Sequence, residues 1–385
     1  MKIEANRPRL LALTSLRFFA ALHVVIFHLY TMHVTSGPMW YRKLSSIGYV
    51  GVGLFFVLSG FILVYTYAGR SWTVAGFWRA RFARIYPAYL FCLLVTAPSF
   101  FYALVVLKNT NLPSFAWFRS HLLLSWILPP LLLQSWVPQA ALAWNSPAWS
   151  LSDEAFFYAI FPLLVGWLMQ KSGRTLMALV LFAWAFSLAL SSGYAILKPD
   201  GILHVDDQAS QLFWLDAVKF HPLARLPEFL VGACLGFLFL RGSIDRKWAT
   251  PLVLMGLTTS VMVVALSPYI PYTVLHNSIL TPAFGAIIYG LALRPNWITV
   301  LEIKPLQLLG DASYSLYLLH SLIIGVYFNP FESTHNRAFV HVGSGVAIMV
   351  GISIFAYLFI ERPPRRWLRP KERQLPITSE ATRAC

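Results

Sequence analysis

Charged residues are scarce in this chain, at 12% of 385 positions, and acids are the scarcer sign, 15 against 30 Lys and Arg. A water-exposed globule carries about 25% charged residues, so that class is excluded. Cysteine is scarce too. Cys92, Cys234 and Cys385 have neither metal-ligand nor disulfide spacing, and Cys385 lacks the three following residues of a prenylation site. No metal site is expected. No internal repeat, low-complexity tract or attached soluble domain is visible.

Long apolar runs are abundant instead. Hydrophobic residues make up 58% of the chain, and many stretches approach the ~20 residues that cross a bilayer as a helix. The expected fold class is all-α, a polytopic integral membrane helical bundle of about ten transmembrane helices. The expected spans are 11–33, 48–68, 84–107, 150–170, 175–195, 225–241, 250–267, 277–294, 305–328 and 338–360. The first begins basic and then apolar, as a signal peptide does, but Arg17, His23 and His28 interrupt it. It reads as an uncleaved span.

The net charge of +15 reflects basic loops rather than a nucleic-acid surface. Clusters at 70–84, 171–174, 241–247 and the C-terminal tail belong on the cytoplasmic side. Ten crossings place them there, with both termini cytoplasmic. An eleventh crossing at 115–137 would invert every later loop. That stretch also contains Pro129-Pro130 and is crowded by Trp117, Trp126, Trp136, Trp144 and Trp149. It is expected to be a re-entrant or interfacial element on the outer face. Gly232 and Gly236 form a GxxxG for close helix packing. The run Arg362, Arg365, Arg366, Arg369, Lys371 and Arg373 reads as an anchor to anionic membrane lipid.

Polar residues within the apolar runs carry the functional signal. Arg17 and His28 are eleven helical steps apart, about three turns and roughly 16 Å of rise, so they share a face. Ionisable groups at such depth line cavities or pathways. His28 suits proton abstraction from a hydroxyl near neutral pH, or it packs in the core. Arg17 needs an anion: either a protein carboxylate or an anionic cofactor entering from the cytoplasm. His23 faces elsewhere and reads as structural. Arg81 and Arg84, three apart, can clamp phosphate or anchor topology, with Pro87 limiting how their helix begins.

In NSPAWSLSDEAFFY, Ser152 is expected to cap a helix bearing Asp153 and Glu154 in its first turn. The two acids, beside Trp149, Ser150 and Tyr158, could bind a sugar hydroxyl, and Glu154 shares a face with Tyr158. Arg225 and Glu228 can pair. His320 shares a face with Tyr317 and Ser313 and stands at about the depth of His28, to hold substrate or to pack. Pro363 is expected to stop the last helix.

Together these residues resemble the acyltransferase-3 family of membrane O-acyltransferases. The resemblance runs from about 9 to 363. It rests on Arg17-x10-His28, GVGLFFVLSGFIL, Arg81-x-x-Arg84-x-x-Pro87, WSLSDEAFFY, RLPEFLVG, SYSLYLLH and Glu361-Arg362-Pro363, in that order. It implies a ten-helix membrane domain at 1–363 and a basic cytoplasmic tail at 364–385, in a bacterial inner (plasma) membrane. It further implies transfer of an acyl group, often acetyl, from cytoplasmic acyl-CoA to a hydroxyl of a surface glycan or lipid-linked carbohydrate, or to a small molecule such as a macrolide. The family's essential arginine and histidine map onto Arg17 and His28, its paired arginines onto Arg81 and Arg84, and its acidic residue onto Glu154. The resulting expectation has His28 and Glu154 catalytic, Arg17, Arg81 and Arg84 on acyl-CoA, and Ser150, Tyr158 and His320 on the acceptor. A proton-coupled anion transporter is the alternative from another class.

Overall fold

A computed structural model describes residues 7–105, 113–202, 205, 212–328 and 339–368. The first half contains α1 (Leu11–Thr31), α2 (Met39–Ser46), α3 (Gly51–Tyr67), α4 (Val74–Val105), α5 (Pro113–Ser120), α6 (Leu122–Ile127), α7 (Trp149–Met169) and α8 (Gly173–Leu197). The second contains α9 (Phe213–Phe220), α10 (Pro222–Leu240), α11 (Ala249–Leu266), α12 (Tyr272–Asn277), α13 (Thr281–Ala292), α14 (Lys304–Tyr327), α15 (Phe339–Ala356) and α16 (Arg362–Trp367). The described residues form helices and turns without a strand. The protein is a multi-pass helical membrane protein.

Each expected span coincides with a helix. Nine helical segments among the described residues are long and apolar enough to cross a bilayer. The tenth expected span is α14. Its 24 residues give about 36 Å of length, but its hydropathy is lowered by a polar face. Ser313 and His320 on that face are buried, and so is Ser315 on the opposite side, where it donates to Glu361 at 2.9 Å. Three boundaries differ from expectation. The third helix begins at Val74 rather than 84 and holds both Pro87 and Pro98 in its interior. Ser152 is no cap: α7 starts at Trp149, and the Ser152 hydroxyl donates to the Leu132 carbonyl at 2.7 Å. Pro363 does not end the last helix. A π-helical turn at Tyr357–Glu361 passes into α16, where Pro363 occupies a first-turn position whose N–H would be orphaned anyway.

The stretch 115–137 does not cross. Its helices α5 and α6 have eight and six residues, far short of the ~20 required. Helix directions agree. Phe77 stacks on Phe161 at one end of the α4–α7 pair, and Asn145 donates to Cys92 Sγ at the other, 3.2 Å away. The two helices are therefore antiparallel, and the chain between them returns to the end it left. Tyr89 and Tyr86 hold the Pro129 and Pro130 carbonyls against α4 at 2.7 and 3.0 Å.

Close backbone approach sets the centre of the bundle. Gly232 and Gly236 of the GxxxG face the Val57 and Phe61 carbonyls of α3, and a methyl at Gly232 would collide with backbone. Gly310 does the same for α14 against the Thr14 carbonyl of α1. From that contact α1 and α14 run parallel, which carries His28 and His320 to the same level. The Arg225–Glu228 pair forms as expected, at 2.9 Å and almost fully buried.

Candidate active site

Five helices, α1, α3, α4, α7 and α14, converge on a cavity of about 350 Å³ toward the end of the bundle where α1 and α4 begin. Arg17 comes from α1, Arg81 and Arg84 from α4, and Ser150, Glu154 and Tyr158 from α7. Arg17 and Arg84 have no hydrogen-bond or ion-pair partner among the described residues. Arg81 reaches the Tyr67 hydroxyl at 3.3 Å and lies over the Tyr67, Phe77 and Tyr158 rings, while its Nε is buried without a partner. Glu154 is the one carboxylate in the lining. It accepts from the Tyr158 hydroxyl and, at 3.4 Å, from Ser59. Three guanidinium groups in a low-dielectric cavity without ion pairs constitute a site for an anion.

His28 lies beyond this cavity. Its Nδ1 is 2.9 Å from the Val24 carbonyl and 3.1 Å from Nε2 of His320. Nδ1 of His320 is 2.7 Å from the Tyr317 carbonyl. Carbonyls only accept, so in the neutral rings both Nδ1 atoms carry protons. His320 Nε2 then accepts from His28, and the lone pair of His28 sits on Nε2. Backbone fixes this tautomer chain, and it leaves one basic nitrogen for chemistry.

His28 opens into a second cavity of about 280 Å³, lined also by Tyr49, Trp149, Lys219, Tyr272 and His276. The two cavities share Val52 and Tyr317. The Tyr317 hydroxyl lies 2.8 Å from Ser150 Oγ and 2.8 Å from the Pro147 carbonyl, which fixes this side chain between the two linings. Arg17 and His28 thus share a helix face, as their spacing requires, yet line different cavities.

The structure places the expected site residues unevenly. Arg17, Arg81, Arg84, Ser150, Glu154 and Tyr158 come together; His28 and His320 form a separate pair. Glu154 is bonded within the arginine cavity and makes no hydrogen bond to His28. Asp153 is fully buried, lies outside the lining of this cavity, and its carboxylate oxygens have no hydrogen-bond partner among the described residues. His23 bonds the Leu44 carbonyl at 2.8 Å and is structural. Sequence reasoning missed His276, which stacks on Tyr49 at 5.0 Å and pairs through Nδ1 with Asn277 Oδ1 at 2.6 Å. A polar His-Asn pair at the head of an apolar span was the available signal.

Fold and site together define a multi-pass membrane protein with an arginine-lined cavity beside a histidine-lined one. Residues 10–358 match the family model described as "Acyltransferase domain", and the chain belongs to that family, acyltransferase-3. It is similar to the acyltransferase MdmB of Streptomyces mycarofaciens, 28% identical over 82% of this chain and 79% of that protein. It is similar also to the O-acetyltransferase OatA of Staphylococcus aureus, 25% identical over 93% of this chain, and to the peptidoglycan O-acetyltransferase OatA of Listeria monocytogenes, 26% identical over 94%. The matches span 58% and 56% of those two longer proteins. No solved structure matches the chain. By family the protein is a membrane acyltransferase rather than a transporter.

Proposed function

We propose that the protein transfers an acetyl group from cytoplasmic acyl-CoA to a carbohydrate hydroxyl at the opposite face of the bacterial inner membrane. One observation carries this reading. A cavity lined by Arg17, Arg81 and Arg84, none of them in an ion pair among the described residues, adjoins a cavity holding a histidine base, with only Val52 and Tyr317 common to both linings. The arginines suit the phosphates of CoA, whose thin pantetheine arm would run along the first cavity toward Tyr317. The aromatic lining of the second cavity, Tyr49, Trp149 and Tyr272, suits a sugar ring.

The chemistry balances without a further reactant. His28 Nε2 removes the acceptor's hydroxyl proton as the oxygen attacks the thioester carbonyl. The C–S bond breaks, and the CoA sulfur takes the proton from His28. His320 accepts from His28 Nδ1–H throughout and so supports the transient imidazolium. Glu154 fixes Tyr158 in the donor cavity and offsets part of its positive charge. Tyr317 must yield for the thioester to reach His28.

The test uses purified protein in lipid nanodiscs, with acetyl-CoA and a muropeptide or other glycan acceptor. Thiol release and acceptor mass are both followed. Stoichiometric gain of acetyl by the acceptor is expected, with loss of at least 100-fold in His28→Ala at unchanged melting temperature. Full activity in that variant would remove His28 from the mechanism.

A further inference from the structure

The arginine cavity has a side chamber. A second space of about 340 Å³ shares Arg9, Arg17, Ile62 and Thr66 with it and adds Arg7 and Arg70. No carboxylate lines this chamber. Arg7 is committed to structure: its guanidinium donates to the Tyr65 carbonyl and, at 2.7 Å, to the Ala68 carbonyl at the end of α3. The Tyr65 hydroxyl returns a bond to the Pro8 carbonyl at 2.8 Å, which fixes the wall. Arg70 is different. Its side chain has no partner among the described residues, and its Nε is buried. Arg9 has only a 3.4 Å contact with Asp311. Thr14 and Thr66 line the same space, and their hydroxyls make no hydrogen bond among the described residues. Four arginines, Arg7, Arg9, Arg17 and Arg70, around one space whose lining holds no acid favour a multiply charged anion.

From this chamber we infer a second phosphate subsite, formed by Arg70 and Arg9, which takes the 3′-phosphorylated adenosine end of the donor. The inference rests on the acyl-CoA reading above. Connectivity gives the assignment. The two anionic groups of CoA lie at different distances from the thioester. The diphosphate adjoins the pantetheine arm, and the 3′-phosphate lies beyond it on the ribose. The cavity reaching Tyr317 contains Arg81 and Arg84, and the side chamber branches off at Arg17, away from Tyr317. The diphosphate therefore meets Arg81 and Arg84, and the distal phosphate meets Arg70.

The test compares acetyl-CoA with 3′-dephospho-acetyl-CoA in phosphatidylcholine nanodiscs. The intact protein is expected to show a KM about tenfold lower for acetyl-CoA. Arg70→Gln should erase that ratio, Arg70→Lys should keep most of it, and Arg9→Gln should reduce it. An unaltered ratio in Arg70→Gln overturns the subsite. So does an Arg70→Gln defect that appears only when phosphatidylglycerol is added, which would assign the chamber to lipid headgroups. Absence of transfer from either thioester, with a folded protein, overturns the acyl-CoA reading itself and is distinct from both.

Discussion

Nδ1 of His28 and Nε2 of His320 lie 3.1 Å apart, although 292 residues separate them in the chain. The contact joins α1 to α14 and fixes which nitrogen of His28 is basic. Under the proposed mechanism this contact makes His320 the residue that positions the base. His320→Phe is expected to lower kcat by about 100-fold with little change in KM for either substrate. His320→Gln, which can still accept from Nδ1–H, should recover most of the loss. Equal defects in both variants would indicate packing alone.

Tyr317 separates the two cavities and is held by Ser150 and the Pro147 carbonyl. Tyr317→Phe removes both hydrogen bonds and loosens the partition. Thiol release without acetyl gain by the acceptor is expected to rise several-fold relative to productive transfer, since water reaches the thioester more easily. The ratio of free thiol to acetylated acceptor measures it, and a ratio equal to that of the parent protein would mean the hydroxyl does not hold the wall.

Gly310 sets the approach of α14 to α1. A Gly310→Val side chain would collide with the Thr14 backbone. Overpacking of this kind costs about 1–3 kcal/mol and would also shift His320 from His28. A lowered melting temperature and lost activity are expected together, measured by thermal unfolding in detergent and by the transfer assay.

Glu228 is paired with Arg225 where water is excluded. Glu228→Ala leaves a buried guanidinium short of its counter-charge and is expected to cost about 3–5 kcal/mol. Glu228→Gln keeps an acceptor and should cost less. Unfolding midpoints of the two variants decide the order.

Much of this protein is determined by local pattern. Apolar run length and basic loops are enough for a ten-span bundle, because a bilayer requires each crossing helix to satisfy its own backbone hydrogen bonds. The proline pair and tryptophans at 115–137 are enough to keep that stretch from crossing. Spacing on one helix also predicts the shared faces of Arg17 with His28 and of Glu154 with Tyr158. What only the tertiary structure decided is which faces meet. Helical periodicity gives a side chain's direction about its own axis and says nothing of the neighbouring helix. The glycine contacts at Gly232 and Gly310 determine those neighbours. The Gly310 contact brings His320 to His28, packing of α7 against α3 and α4 brings Glu154 among the arginines, and Tyr317 comes to stand between two cavities that the first helix, taken alone, would present as one.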